Sequence, residues 1–248
     1  MPKTILAIGA HADDCEIGVG GLLIQAKRAG CRVVVVTVVS DYSSWAPTRG
    51  HEEETLRELQ ALADGYGFEK RFLGYPYHVI DGGDLDLKRK LAEIQLEVKP
   101  DVAFIHHIED HWPDHVACGR ASHDALLFPH GLSTDLTSPR CPLVFAYPVT
   151  PSQTYHFDED AYFDVTDVMP EYMDLINKSD ACYFRLKSLD EEIQHELRTF
   201  GDKPQTLRLG GHAFLKLAYC IEHGNRAGFR YGLGLKTVWG RRLGEKLF

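Results

Sequence analysis

The sequence predicts an α/β fold of the Rossmann-like type, with a largely parallel sheet and helices on both of its faces. Short apolar runs of strand length alternate with segments of helical spacing, as doubly wound folds require. The β-branched run at residues 32–39 is typical of a strand that is covered on both faces. With 248 residues, 44% of them hydrophobic, the chain can bury one large core, so we expect one domain over residues 1–248.

Each expected element has a local signal. Strands are apolar runs, and helices carry apolar residues at helical spacing between turn or stop residues such as Gly65, Gly67 and Pro100. The expected strands are residues 4–10, 31–39, 72–76, Val102–His106 and 143–147. The expected helices are residues 17–29, 52–66, Leu85–Val98, 116–127, 169–178, 186–200 and 205–223.

The composition excludes several classes of protein. A net charge of -9 argues against a nucleic-acid or anionic-membrane surface, where a basic patch would be expected. No apolar stretch reaches the roughly 20 residues of a membrane span, and no leader-like segment precedes the first strand, so we expect a cytoplasmic protein. The six cysteines form no Cys-x-x-Cys pair, which favours buried thiols over a thiolate metal site or a disulfide framework.

A first polar cluster follows the first apolar run. His11, Asp13 and Asp14 lie where the expected strand passes into the expected helix, and open α/β sheets form their sites at such strand ends. One imidazole and two carboxylates suit a divalent cation such as zinc, with one carboxylate left as a general base. The alternative is that Asp13 and Asp14 only cap the helix, because acidic side chains are favourable at a helix N-terminus.

A second cluster of His and Asp residues, at positions 110–115, follows the apolar run Val102–His106. A histidine and an aspartate after one strand would be a weak signal for a metal site. Two such clusters after two strands instead suggest that both contribute to one site, because the carboxyl ends of parallel strands lie at the same edge of a sheet.

Taken together, the two clusters resemble the motifs of the LmbE/PIG-L family of zinc-dependent N-deacetylases. Residues 10–14, Ala-His-Ala-Asp-Asp, are similar to the family's first motif, with Ala12 in place of proline. Residues 112–115, Trp-Pro-Asp-His, are similar to its His-Pro-Asp-His motif. The strings at 162–167 and 231–236 also have counterparts, and the His-Ala-Asp-Asp variant resembles the bacillithiol-pathway N-acetylglucosaminyl deacetylase branch.

The resemblance implies an LmbE-like fold and a role for each motif residue. One Zn²⁺ per chain would be held by His11, Asp14 and His115, with Asp13 as the general base. Asp114 would orient an imidazole or hold Asp13, although it could equally be a helix cap. The implied substrate is an N-acetylated amino sugar or its glycoside, and the implied assembly is a homo-oligomer, a trimer or a hexamer. Because this ligand set is complete, three other histidines are expected to be structural: His106, His107 and His123.

The sequence departs from the family pattern at positions outside the metal motif. Trp112 stands where the family has a histidine that acts as acid or stabilises the oxyanion, and an indole cannot transfer a proton at neutral pH. His111 beside it is the expected substitute. Thr55 and Tyr77 replace an arginine and an aspartate that resemble sugar contacts, and Leu233 replaces a glutamate. Loss of sugar contacts with a retained metal motif indicates a changed substrate.

Two other classes of function stay open at this point. Trp112 favours a metal- or sugar-binding relative without turnover. Gly18, Gly20 and Gly21 near a helix N-terminus could indicate a nucleotide-binding transferase domain, although they lack the Gly-x-Gly-x-x-Gly order. For the pocket itself, the loop at residues 40–50 offers Tyr42 and Trp45 as residues that stack on a sugar or pack in the core, and Arg49 and Arg57 as substitutes for the missing arginine.

Overall fold

The computed structural model of the protein describes residues 2–133, 137, 139–150, 154–184 and 211–240. Its strands are β1 Thr4–Gly9, β2 Arg32–Asp41, β3 Glu69–Pro76, β4 Val102–His106, β5 Val144–Tyr147, β6 Ala161–Asp164 and β7 Gly232–Trp239. Its helices are α1 Asp14–Arg28, α2 Glu52–Gly65, α3 Leu85–Val98, α4 Pro113–Leu127, α5 Pro129–Leu132, α6 Met169–Tyr183 and α7 Gly211–Ala227. The expected helix at 186–200 and the start of the one at 205–223 lie outside the described residues.

The strands form a seven-stranded sheet in the order β3-β2-β1-β4-β5-β7-β6. The first five strands of that order are paired in parallel, whereas β7 is antiparallel to both β5 and β6. The expected Rossmann-like α/β fold with a largely parallel sheet is therefore confirmed, with an antiparallel extension at one edge.

Helices cover both faces of the sheet because the central strands are apolar on both. Ile5 and Ala7 of β1 belong to a core cluster with residues of α1 and α6. The alternating residues Leu6 and Ile8 belong to a second cluster with residues of α3 and α4. Successive strand side chains point to opposite faces, so a continuous apolar run feeds both cores.

The strand order places the two motif clusters side by side. β1 pairs with β2 on one side and with β4 on the other, in parallel register with Ile5 opposite Val102 and Ala7 opposite Phe104. Strands β1 to β3 are added towards one edge of the sheet, whereas β4 and β5 are added towards the other, so the strand order reverses between β1 and β4. Ligand sites of open α/β sheets form at such switch points. The loops after both strands consequently leave the sheet at one edge.

Several element boundaries differ from the sequence prediction. α1 begins at Asp14 instead of residue 17, and α4 begins at Pro113 instead of residue 116. Acidic residues and proline are favourable in the first helical turn, so both motifs continue directly into helices. β7 was not expected, because glycines interrupt its apolar pattern. Gly234 is nevertheless required there, since a Cβ at this position would lie 2.4 Å from the His223 ring.

The glycines of α1 serve helix packing. A Cβ at Gly18 would lie 2.3 Å from the ring of Tyr147, and Cβ atoms at Gly20 and Gly21 would lie 2.9 Å from the ring of Tyr172. These close approaches account for all three glycines inside a regular helix. The nucleotide-binding interpretation therefore loses the observation that motivated it.

The cysteines agree with the expectation of buried thiols. All six are free, and five of them are buried. As for membrane spans, none of the helices in the described residues combines the length and the apolar character needed to cross a bilayer.

A buried ion pair supports the loop that carries the first motif. The Lys70 ammonium donates to Glu16 Oε1 at 2.6 Å and to the Ala12 carbonyl at 2.7 Å, and its side chain is fully buried. We expect Lys70→Met to lower the free energy of unfolding by about 3–5 kcal/mol, because the Glu16 charge stays buried without its partner. The double variant Lys70→Met/Glu16→Gln should recover most of this loss in urea denaturation. A neutral single variant would contradict the expectation.

Candidate metal centre and active site

Three predicted ligands converge at the carboxyl ends of β1 and β4. His11 Nδ1 lies 3.2 Å from His115 Nε2 and 3.5 Å from Asp14 Oδ2, and His115 Nε2 lies 3.3 Å from Asp14 Oδ1. All three residues are buried. They come from the β1–α1 loop, the first turn of α1 and the first turn of α4, so the strand order described above is what brings them together.

The donor set fits a zinc-like cation. Zinc–nitrogen and zinc–oxygen bonds of about 2.0–2.2 Å in tetrahedral geometry separate neighbouring ligand atoms by roughly 3.3–3.6 Å. The three distances, which involve both oxygens of the Asp14 carboxylate, are 3.2, 3.5 and 3.3 Å and lie within about 0.1 Å of that spacing. Two imidazoles and one carboxylate are also a ligand combination of catalytic zinc sites, which leave a further position open.

Carboxylates outside the ligand set orient both imidazoles. Asp114 Oδ2 lies 3.1 Å from His11 Nε2, and Asp110 Oδ1 lies 3.1 Å from His115 Nδ1. Each carboxylate occupies the outer ring nitrogen, so the inner nitrogen of each histidine faces the ligand cluster. Asp114 thus has the geometry of an orienting residue. Asp110 was not singled out from the sequence, although its position five residues before His115 in the second cluster was the available signal.

Asp14 is held by groups on both sides. Its Oδ2 accepts a 2.6 Å hydrogen bond from the His11 backbone N–H and lies 3.0 Å from His106 Nε2. The Ala10 backbone N–H lies 2.9 Å from this same His106 nitrogen, which accepts from Ala10 when unprotonated and donates to Asp14 when protonated. The two other histidines expected to be structural are hydrogen-bonded as well: His107 to the carbonyl of Tyr155 and His123 to Asp124.

The electrostatics of the ligand cluster reflect opposing effects. Burial alone would lower the pKa of His115, but the Asp14 and Asp110 carboxylates outweigh it and raise this pKa to about 10. Burial likewise disfavours charge on Asp14, yet His115, His106 and His11 hold its pKa well below the usual range. The cluster is thus a set of mutually dependent charges, and removing one of them leaves the others poorly compensated.

Asp13 lies beside the ligand cluster and is buried, with 4% of its surface exposed. Within the described part of the chain its carboxylate accepts no hydrogen bond, including none at the N-terminus of α1. Burial, followed by the neighbouring Asp14, raises the pKa of Asp13 to about 7. Asp13 occupies the N-cap position of α1, but its side chain makes no cap hydrogen bond there and lines the pocket instead.

Two residues without any signal in the sequence complete the surroundings of Asp13. Asp180 of α6 lies 3.0 Å from His212 Nδ1 of α7, and ligand atoms of Asp13, Asp180 and His212 lie within 4.8 Å of one another. Burial would lower the pKa of His212, but Asp180 and then Asp13 raise it to about 9. Neither residue belongs to a motif, and only the packing of α6 and α7 brings them to the pocket.

The His212–Asp180 pair predicts a dependence of stability on pH. A folded-state pKa above the ordinary 6.5 stabilises the fold fully below about pH 6.5, and that contribution is lost as the pH rises through about 9. We therefore expect chelator-treated wild type to lose its advantage over His212→Gln across this window. Thermal denaturation of both proteins at matched pH values measures it. A constant difference in Tm would contradict the assignment.

Aromatic residues form the walls of the pocket. Trp45, Tyr77 and Trp112 line it together with Tyr183, and the Tyr77 ring centroid lies 5.1 Å from that of His11. Tyr42 is completely buried behind this wall, where its hydroxyl donates to the Val39 carbonyl and accepts from the Ala12 backbone N–H. Tyr42 is thus a packing residue.

Other predicted site residues lie away from the pocket. His111 is exposed, and its Nδ1 lies 3.4 Å from the hydroxyl of Tyr155. Thr55 is buried in α2, and Leu233 is buried in β7. The two arginines considered as substitutes are exposed and do not line the pocket: Arg49 and Arg57.

Residues 6–126 match the family model described as PIG-L: GlcNAc-PI de-N-acetylase. The matched stretch contains both motif clusters but neither Asp180 nor His212. Among solved structures, N,N'-diacetylchitobiose deacetylase from Pyrococcus horikoshii is 19% identical, with a TM-score of 0.71 over 95% of this chain and 84% of that one.

Two further structures have similar folds. The conserved protein TT1542 from Thermus thermophilus is 19% identical, with a TM-score of 0.74 over 97% of both chains. GalB from Pseudomonas putida, a 4-carboxy-2-hydroxymuconate hydratase, is 20% identical, with a TM-score of 0.65 over 99% of this chain and 100% of that one. The chain thus has the fold of these proteins, and its residues 6–126 carry a PIG-L family match.

Proposed function

We propose that the protein is a metal-dependent N-deacetylase that removes an acetyl or similar acyl group from an N-acetylated amino sugar or its glycoside. The observation that carries the proposal is the convergence of His11, Asp14 and His115 beside the buried Asp13 carboxylate. The PIG-L match over both motifs and the fold shared with a diacetylchitobiose deacetylase support it. One Zn²⁺ per chain is the proposed cofactor.

Different residues of the pocket would have different roles in amide hydrolysis: metal binding, proton acceptance and proton donation. A zinc ion held by His11, Asp14 and His115 would supply Lewis-acid chemistry, acidifying water and polarising a carbonyl. Within the described residues no hydrogen bond occupies the Asp13 carboxylate, so it can take the proton of the attacking water. His212, ion-paired with Asp180, can hold a proton for the departing amine.

His212 could also replace the family histidine whose position Trp112 occupies in this chain. The expected substitute for the missing family histidine was His111, which is exposed and outside the pocket lining. His212 lines the pocket and lies close to Asp13. We therefore infer that the imidazole needed for proton transfer comes from α7 instead of the second motif.

The aromatic walls support an amino-sugar substrate. Pockets that bind small molecules are largely apolar and aromatic, with few polar groups to fix orientation, and Trp45, Tyr77 and Trp112 fit that description. Tyr77 stands in the place of a family aspartate, which favours a substrate different from that of the bacillithiol-pathway branch. Membership of that branch remains a prediction.

Metal removal combined with a substrate panel tests the proposal. We expect chelator-treated protein to release no free amine from N-acetylated amino sugars or their glycosides, and we expect one added equivalent of zinc to restore release. Metal analysis of the same samples should give about one zinc per chain in the active protein. Equal release with and without metal, or no release from any member of the panel by the zinc-loaded protein, would contradict the proposal.

The fold alone does not fix the reaction, because GalB has it and is described as a hydratase. A relative that binds metal and sugar without turnover also stays open, on account of Trp112. We expect Trp112→His to change amine release by less than about tenfold, because His212 already supplies an imidazole. A gain of about 10²–10⁴-fold, the usual contribution of a general acid or base, would instead favour the non-hydrolytic relative.

Assembly and location remain proposals. We propose a homo-oligomer, trimeric or hexameric by resemblance, with a small-molecule partner and with neither nucleic acid nor membrane as a partner, in the cytoplasm. Sedimentation of the purified chain decides the oligomeric state, and a purely monomeric protein would contradict it.

A further inference from the structure

The pocket holds a second group of metal-ligating side chains beside the first. Asp13, Asp180 and His212 each bring one ligand atom to within 4.8 Å of the other two. We propose that they form a second divalent-cation site, and that a cation bound there inhibits the protein because it occupies the Asp13 carboxylate. The binding stands on the geometry alone, whereas the inhibition rests on the proposed function.

The charges of the group call for a cation. Asp13 and Asp180 are each 4% exposed, and a buried carboxylate is costly unless it is paired. Asp180 has His212 as its partner at 3.0 Å, but Asp13 has no hydrogen-bond partner among the residues that the structure describes. The neighbouring Asp14 cannot help, because it is itself a carboxylate. Within this group Asp13 and Asp180 share the single imidazole of His212, so the group carries one negative charge in excess when both carboxylates are ionised and His212 is protonated. A divalent cation would compensate that charge.

The ligand types and the access to the site indicate which cation. Two carboxylates with one imidazole suit zinc and similar borderline cations. The group has one imidazole where the first site has two, so zinc is expected to bind here more weakly than at His11 and His115. Asp13 and His212 both line the pocket, so a cation can reach them from solvent.

Occupation of the second site has a direct chemical consequence. The Asp13 lone pair would be committed to the cation and could not accept a proton. A ligating nitrogen of His212 likewise could not carry one. Zinc in excess of one equivalent should therefore stop turnover while leaving the first site filled.

A zinc titration against a chromophoric chelator tests the binding. The proteins are chelator-stripped wild type, His212→Gln and Asp180→Asn, with His123→Gln as the matched control, because His123 lies beside Asp124 on the surface of α4. We expect two equivalents in wild type and in the control, the second weaker than the first. His212→Gln and Asp180→Asn should retain the first equivalent. Their affinity for the second should fall by at least about 100-fold, since even outer partners of metal ligands change affinity by 10–100-fold.

Other outcomes would overturn the site. A single equivalent in wild type, an unchanged second equivalent in both variants, or loss of the first equivalent in folded His212→Gln each contradict it. Asp180→Asn preserves shape and decides the question if His212→Gln fails to fold. Inhibition of amine release that begins only with the second equivalent, in wild type and in His123→Gln alike, tests the consequence separately, and full turnover with two equivalents bound would contradict it. If no substrate is hydrolysed at all, the proposed function fails while the binding result still stands.

Discussion

Replacing Asp14 by alanine is expected to remove the bound metal and to reduce amine release by at least about 10³-fold. Asp14 supplies the one carboxylate among the three converging ligands, and its oxygens lie within 3.5 Å of ligand nitrogens of both histidines. Without it two imidazoles remain, fewer than the three protein ligands of a catalytic zinc site. The large effect on rate follows because water reaches a pKa near 7 only when a metal is bound.

Metal content per chain and zinc-induced stabilisation measure this effect. Wild type should show a rise in Tm on adding zinc, because a ligand that binds only the folded state stabilises it. Asp14→Ala should lose most of that rise. Asp64→Ala, on the exposed face of α2, is the control and should behave like wild type. Full zinc content in a folded Asp14→Ala protein would refute the ligand assignment.

Replacing Asp13 by asparagine should have the opposite pattern, with metal retained and turnover lost. Asp13 lies next to the ligand cluster but outside it, and its carboxylate is free of hydrogen bonds in the described residues. Asparagine keeps the shape and cannot accept a proton. We expect amine release to fall by about 10²–10⁴-fold, the usual contribution of a general base. Unchanged release would exclude Asp13 from that role.

The metal-free Asp13→Asn protein offers a second readout. Burial and Asp14 raise the pKa of Asp13 to about 7, so its neutral form is favoured in the fold. The raised pKa of Asp13 contributes to the stability of the fold fully at pH values below 3.8, the ordinary pKa of the group. This contribution is lost as the pH rises through about 7. Relative to wild type, Asp13→Asn should therefore gain stability over that interval. Urea denaturation in chelator at matched pH values measures the difference, and a pH-independent difference would contradict the raised pKa.

The sequence by itself determined the parallel part of the sheet and the two polar clusters that meet at its edge, and the resemblance to the LmbE/PIG-L family singled out the three predicted ligands within them. Apolar runs and helical spacing depend on neighbours along the chain, so β1, α1 and β4 could be predicted before their packing was known. His11, Asp14 and His115 lie in short motifs directly after two strands. Their convergence then follows from the edge that parallel strands share.

Only the tertiary structure decided which groups surround those ligands. The sequence did not predict β7, because the reason for its glycines is their close contact with α7, which only the packed structure shows. The exposure of His111 likewise became visible only in the structure. Asp180 and His212 come from helices with no motif, and their approach to Asp13 depends on how α6 and α7 pack. A local sequence pattern reflects interactions between residues that are close in the chain. Contacts between residues that are far apart in the chain, such as Asp13 with His212, are fixed only when the whole core packs.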